Sequence, residues 1–229
     1  MNQLPYLNIH SHRREFIENS VTVGVLSADD LKIGRTYPDY SCAGIHPWWL
    51  EEFSHAEIEA FKDSIKSLVV KKSLWAIGET GIDRTMPEWL DRQKELFTWH
   101  MELAEEEKIP LIIHNVRAGA DFLEIIKSRK PTSAWIFHDF RGSEELLRDL
   151  LRLHPRCFFS FGISIDNSPQ IRELLPKVPV EHLFLETDDQ KHLDIHDIYL
   201  RAAHHLQMDV NFLKSQIWLN FQKLVSKNL

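Results

Sequence analysis

Six apolar runs in this chain stop at a histidine or a carboxylate, the side chains that hold divalent cations. They are Leu7-Asn8-Ile9-His10-Ser11-His12, Cys42-Ala43-Gly44-Ile45-His46, Leu74-Trp75-Ala76-Ile77-Gly78-Glu79, Leu111-Ile112-Ile113-His114, Ala134-Trp135-Ile136-Phe137-His138 and Leu183-Phe184-Leu185-Glu186-Thr187-Asp188. A single strand ending in a carboxylate is ordinary. Six such endings look like a metal site assembled from the ends of strands.

His10 and His12 are two residues apart, so on a strand both rings point to one side and can chelate one cation. Alone, an H-x-H pair is equally compatible with ordinary polar side chains. His114 and His138 end the fifth and sixth runs that read as strands and can face a second cation. Glu79, on the strand before them, has two oxygens with which to bridge the pair. Asp188 comes from the last strand, which lies beside the first if the sheet closes. This mixed nitrogen and oxygen set leaves positions open for water and substrate.

The elements that must position these groups follow from hydrophobic periodicity. Eight strands are predicted, at about 6–10, 20–26, 41–45, 74–79, 110–114, 133–138, 157–162 and 182–187. Helical spacing appears in Ile58, Phe61, Ile65, Leu68 and Val69 behind a capping-box pattern of Ser54 and Glu57. It recurs in the charged segment 88–107, around Leu146–Leu151, briefly at Ile171–Leu175, and twice near the end, at 195–206 and 209–225. Alternation of strand and helix without a linker or internal repeat predicts an α/β chain, a single (β/α)8 TIM barrel over residues 1–229. The last helix should pack outside the barrel. Gly34 and Pro38 make 27–40 a degenerate connection. In such barrels the chemistry lies at the C-terminal ends of the strands, where the His and carboxylate residues fall. The other histidines (His55, His100, His154, His182, His192, His196, His204 and His205) read as surface groups.

Composition narrows the function. A hydrophobic fraction of 43% and a charged fraction of 27% belong to a soluble globular protein. No segment approaches the ~18 apolar residues of a membrane span, and the start Met1-Asn2-Gln3-Leu4-Pro5 has no secretory pattern. Two cysteines, Cys42 and Cys157, lie within strands and read as buried thiols, with a disulfide the minor alternative. A cytoplasmic location is expected. The net charge of −7, without runs of Lys or Arg, argues against a broad surface for duplex nucleic acid. It leaves room for a nucleic-acid end or a small phosphorylated ligand in a pocket.

The succession H-x-H, G-I-H-P, I-G-E-T-G-I-D, L-I-I-H, F-H and L-E-T-D resembles the TatD family of metal-dependent deoxyribonucleases, amidohydrolase-like metallo-barrels. The likeness runs from Asn8 to the Asn220-Phe221 region. It implies one metal held by His10, His12, Glu79 and Asp188, and a second by Glu79, His114 and His138. It also implies divalent-metal hydrolysis of phosphodiester bonds, with DNA as the usual substrate; the His-rich donor set suits Zn, Mn, Co or Ni, and the resemblance adds Mg. The chain departs from the pattern outside the ligands. Asn8 stands where Asp is common before H-x-H, Asp139-Phe140-Arg141-Gly142 replaces Cys-Phe-Ser-Gly, Arg117 comes one position late, and Asp189-Gln190 follow Asp188 in place of a small residue and Pro. The late Arg-Asn-x-Pro segment is missing.

The expected mechanism is attack by a water activated between two cations, typically ~3.5–4 Å apart. Asp188 serves as ligand, as general base, or as both, with Glu79 bridging. His46 contacts substrate or the attacking water, or else makes a structural bond at the turn before Pro47. Arg141 and Arg117 are candidate phosphate contacts, with Arg13 and Arg84 as further possibilities. Trp48 and Trp49 are candidates for stacking on a base or for packing the loop. Asp83 and Glu186 are expected to orient ligands. Expected partners are DNA ends or another small phosphodiester, with neither a membrane nor an obligate protein partner. Two other readings keep the barrel: a deacylase or amide/ester hydrolase, and a catalytically idle metal-binding protein.

Overall fold

In the computed structural model, residues 4–15, 17–190 and 192–225 are described; Met1–Gln3, Phe16, Lys191 and 226–229 lie outside the described residues. Eight parallel strands follow one another around a sheet in chain order: β1 (Tyr6–Ser11), β2 (Ser20–Val25), β3 (Tyr40–Ala43), β4 (Ala76–Asp83), β5 (Leu111–Val116), β6 (Trp135–Phe137), β7 (Cys157–Phe161) and β8 (Leu183–Leu185). The seam is joined just beyond β8, where Asp188 N–H donates to His10 O at 3.1 Å and His12 N–H donates to Asp188 O at 3.1 Å. All eight predicted strands are present. Four of them, β4, β6, β7 and β8, are buried along their whole length, as strands covered on both faces are.

The helices are α1 (Ala28–Ile33), α2 (Trp49–Glu52), α3 (His55–Val70), α4 (Leu90–Glu107), α5 (Gly119–Arg129), α6 (Glu144–Leu153), α7 (Ser164–Asn167), α8 (Pro169–Leu174), α9 (Ile195–Leu206) and α10 (Val210–Val225). The capping box of Ser54 and Glu57 is formed at the start of α3. Segment 27–40 is less degenerate than expected. Ser27 and Asp30 form a second capping box, and Gly34, at φ +66°, ends a short helix in the left-handed region. Helix α5 has no counterpart among the predicted helices. It lacks a side-chain N-cap, yet it buries Phe122 and Ile126 four residues apart.

The last helix lies outside the strands, across the end of the barrel where they begin. Phe221 packs on Trp75 and Tyr40, with ring centroids 4.8 and 5.2 Å away. Asn220 Nδ2 donates to Val180 O at 2.8 Å and Leu183 O at 3.0 Å, and Trp218 Nε1 donates to Pro5 O. These partners sit at or just before the starts of β1, β3, β4 and β8. Burying a side chain such as Phe221 contributes about 1.5–3 kcal/mol, so α10 stabilises the closed end and leaves the opposite end open. Both cysteines are buried free thiols. Among the described residues, no helix is long and apolar enough to cross a membrane.

Candidate metal centre

Strands β1, β4, β5 and β6 and the seam residue Asp188 bring all six expected ligands to one end of the barrel. Glu79 is almost fully buried at their centre. Its placement needs close backbone approach. A Cβ on Gly44 would come within 2.4 Å of Glu79 O, and one on Gly78, where φ is +133°, within 2.4 Å of Ile112 O.

The two oxygens of Glu79 face different groups. Oε2 lies 3.5 Å from His10 Nε2 and 3.4 Å from His12 Nε2. Asp188 Oδ1 completes this first cluster at 3.6 and 3.5 Å from the same nitrogens. These separations exceed good N–H···O lengths. They match ligands placed tetrahedrally about one cation at ~2.0–2.2 Å, which stand roughly 3.3–3.6 Å apart. His10 is fully buried, and neither of its ring nitrogens has a hydrogen-bond partner among the described residues. A buried polar atom left so is costly unless something else satisfies it. The donor chemistry therefore fits a divalent cation.

Oε1 of Glu79 faces the second cluster, at 2.7 Å from His138 Nε2, 2.8 Å from His114 Nδ1 and 3.4 Å from His46 Nε2. His114 Nδ1 stands 3.4 Å from both His46 Nε2 and His138 Nε2. His46 is set apart from the other two by its tautomer. Trp48 N–H donates to His46 Nδ1 at 3.2 Å, which puts the ring proton on Nε2. His46 thus faces the cluster as an N–H donor, whereas His114 and His138 present nitrogens backed by carboxylates. Asp83 Oδ2 lies 3.4 Å from His114 Nε2, and Glu186 Oε1 lies 3.5 Å from His138 Nδ1. Glu186 is fully buried and also accepts from Asp139 N–H at 3.0 Å and from Ser160 Oγ. These are the outer partners that fix the orientation of metal-binding imidazoles.

Electrostatically, the buried carboxylates depend on the imidazoles. Burial alone would raise the pKa of Glu79, but the charge of His138 and the imidazoles of His46, His10 and His114 around it hold it well below the usual range. Burial and the His138 charge oppose protonation of His10, yet the facing carboxylates of Asp188 and Glu79 outweigh them and push its pKa up to about 9. Asp188, which burial would raise, is brought down to about 2 chiefly by His10. Protons on histidine supply here the positive charge that a bound cation would supply, with release of those protons.

A cleft of about 510 Å³ opens above Glu79, walled by Val25–Asp29, His46, Trp48, Trp49, Glu52, Phe53 and Asp189, with His12, His114, His138 and Asp188 on its floor. The structure does not bring Arg141 or Arg117 into it. Arg141 is largely exposed and ion-paired with Asp139 at 2.6 Å, and Asp139 also accepts from Ser164 Oγ at 2.8 Å. Arg117 is exposed, with φ +55° just past β5. Arg84 is committed to Asp121 at 2.6 and 2.8 Å, and Arg13 to Glu15 and the carbonyls of Gln190 and Leu193. Asn8 acts on Thr187 rather than on a ligand: its Nδ2 donates to Thr187 Oγ1 at 2.8 Å, and its Oδ1 accepts Thr187 N–H at 3.0 Å.

Two positioning groups escaped the reading of the sequence. His100, expected at the surface, is fully buried on α4; its Nε2 accepts Ile45 N–H at 3.0 Å and its Nδ1 donates to Leu96 O at 2.7 Å, fixing the backbone before His46. Gln93, also buried, accepts Asp83 N–H at 2.7 Å. Both lie on the stripe with Leu96, Phe97, Met101 and Ala104, and that shared helical face was the available signal. His154 is likewise buried, with Nε2 3.0 Å from Ser133 O.

An eight-stranded barrel with histidines and carboxylates gathered where its strands end defines a metallo-barrel of the hydrolase type. A family profile described as TatD related DNase matches residues 8–226. The chain belongs to that family. It is 29% identical over 193 residues to the "Uncharacterized metal-dependent hydrolase TatD" of Mycobacterium tuberculosis, covering 76% of this chain and 72% of that one. It is 32% identical over 167 residues to the "Uncharacterized metal-dependent hydrolase YcfH" of Escherichia coli, covering 72% of this chain and 60% of that relative. Among solved structures, YJJV, a TatD homologue from Escherichia coli, superposes with a TM-score of 0.78 at 19% identity, covering 96% of this chain and 97% of the other.

Proposed function

We propose that this chain is a divalent-metal-dependent phosphodiesterase that hydrolyses DNA or another nucleic acid from its ends. The observation that carries the reading is the division of Glu79 between two donor clusters, His10–His12–Asp188 and His114–His138, on the floor of one cleft. Relatives from Rahnella and from Erwinia tasmaniensis, 30% and 32% identical, bear the name 3'-5' ssDNA/RNA exonuclease TatD. When bound, two divalent ions would polarise a phosphoryl group and lower the pKa of water.

The chain's own groups supply the rest. Asp188 is ionised at neutral pH and part-exposed in the cleft, so it is free to ligate and to accept a proton from the attacking water. His46 offers its Nε2–H to a phosphoryl oxygen, where donated hydrogen bonds stabilise developing charge. Glu186 and Asp83 keep the imidazoles of His138 and His114 in register.

The test is hydrolysis of a short single-stranded oligonucleotide by chelated protein resupplied with Mg²⁺, Mn²⁺ or Zn²⁺, with Glu79→Ala as the contamination control. Metal-restored cleavage that is absent from the variant is the expected result. Metal binding without cleavage by the wild type would sink the proposal. It would also favour a second reading, an ester or amide hydrolase, which has one observation of its own: no Lys or Arg lines the cleft among the described residues.

A further inference from the structure

The two tryptophans that follow His46 and Pro47 have separate fates. Trp49 turns inward and packs on Phe53 and Phe61, at centroid distances of 5.8 and 5.3 Å. Trp48 stays 52% exposed on the cleft wall. It is nevertheless held in place. Its Nε1 donates to Asp83 Oδ2 at 2.9 Å, and the Asp83 carboxylate is itself pinned by Thr85, through N–H at 2.8 Å and Oγ1 at 2.5 Å. The indole meets His46 edge-on, with centroids 5.0 Å apart at 86°. With its only polar atom committed, this ring has an aromatic face alone to offer a ligand.

The charges around the cleft point the same way. Among the described residues, its walls hold Asp29, Glu52 and Asp189 and neither lysine nor arginine. Lys32 pairs with Asp29 at 3.4 Å and lies 5.6 Å from the centroid of the Phe53 ring. Among the described residues that line the cleft, a ligand finds no basic side chain placed to grip a second or third phosphate. It does find a fixed indole next to the Glu79 clusters.

We propose that Trp48 is the stacking platform for the terminal nucleobase of the substrate, and that the cleft grips this base in place of the backbone phosphates. This rests on the phosphodiesterase reading for the substrate's nature, but the platform itself is a matter of binding. The preferred substrates are then short, one base being held beside the bond that is cut. Affinity depends on the base and hardly on ionic strength.

The experiment is calorimetric titration of metal-loaded protein with adenosine 5'-monophosphate and with ribose 5-phosphate, which share a phosphate and differ by the base. Base–aromatic stacking predicts about tenfold tighter binding of the nucleotide. Trp48→Ala should bring the two ligands level, while Trp48→Phe keeps most of the difference. Equal affinities in the wild type, or a base preference that survives Trp48→Ala, would overturn the platform. A five-nucleotide thymidine strand supplies the second readout. Its affinity should change less than about threefold between about 50 and 200 mM salt, whereas several basic phosphate contacts would cost orders of magnitude. A steep salt slope would overturn the claim that the base carries the affinity. Turnover of bis(p-nitrophenyl) phosphate is assayed separately; its absence beside an intact base preference would remove the phosphodiesterase reading and leave the platform standing.

Discussion

The backbone N–H of Asp188 donates to the carbonyl of His10 at 3.1 Å, while the Asp188 carboxylate stands 3.6 Å from the His10 ring. The bond that joins the last strand's end to the first is thus made by residues that also belong to the first cluster. Closing the barrel and assembling the site are one event.

Metal binding should therefore stabilise the whole fold. A cation bound only by the folded state adds about 2.7 kcal/mol at a hundredfold excess over its Kd. For a chain of this size that corresponds to a rise in Tm of about 5–10 °C. Differential scanning calorimetry with Mn²⁺ or Zn²⁺ should show the rise in wild type and lose most of it in Asp188→Ala. An equal rise in both proteins would count against the seam as a ligand site.

Glu79 and Glu186 should differ in degree. Glu186→Gln keeps the shape that holds Asp139 N–H and changes only the group behind His138, so metal affinity should fall by about 10–100-fold with the fold intact. Glu79→Gln removes the carboxylate shared by both clusters and should cost more than that, with loss of both ions. Metal analysis after equilibrium dialysis against a competing chelator checks the order. A larger loss in Glu186→Gln would reverse the assigned roles.

Acid should weaken the protein partly through His100. Burial drives its pKa down to about 3, against 6.5 in the unfolded chain. Between those values the unfolded chain binds more protons, so stability rises with pH. The contribution is complete above about pH 6.5 and is lost as pH falls toward 3. Urea unfolding of metal-free protein at two pH values, one inside that window and one above it, should show a smaller acid loss in His100→Gln than in wild type. An equal loss would assign the acid sensitivity elsewhere.

At the closed end of the barrel, Asn220→Ala should destabilise without touching the site. The change strands the carbonyls of Val180 and Leu183, at a cost of about 1–3 kcal/mol, visible as a lowered urea midpoint. Metal content should stay at the wild-type level; a drop would tie the closed end to the cluster.

Much of this arrangement was legible in the chain. The strand endings at His10, His46, Glu79, His114, His138 and Asp188 carried a local signal, because apolar runs bounded by polar groups mark strands and period-two spacing sets the face. The capping box at Ser54 was likewise local. Helix α5 has no side-chain N-cap to mark its start, although Phe122 and Ile126 carry helical spacing. His100 and Gln93 were misread, or left unread, because a polar residue on a helix resembles a surface residue until its partners, Ile45 and Asp83, are known.

The sequence by itself determined the strand count, the alternation of strand and helix and the residues that end the strands, since each depends on residue type and short-range spacing. Only the tertiary structure decided the division of Glu79 between two clusters, the donor tautomer of His46, the exposure of Trp48 beside a part-buried Trp49, and the commitment of Arg141 to Asp139. Each of these depends on which atoms of distant segments approach within a few ångströms. Strand pairing and side-chain packing set those distances, and no local pattern in a single chain encodes them.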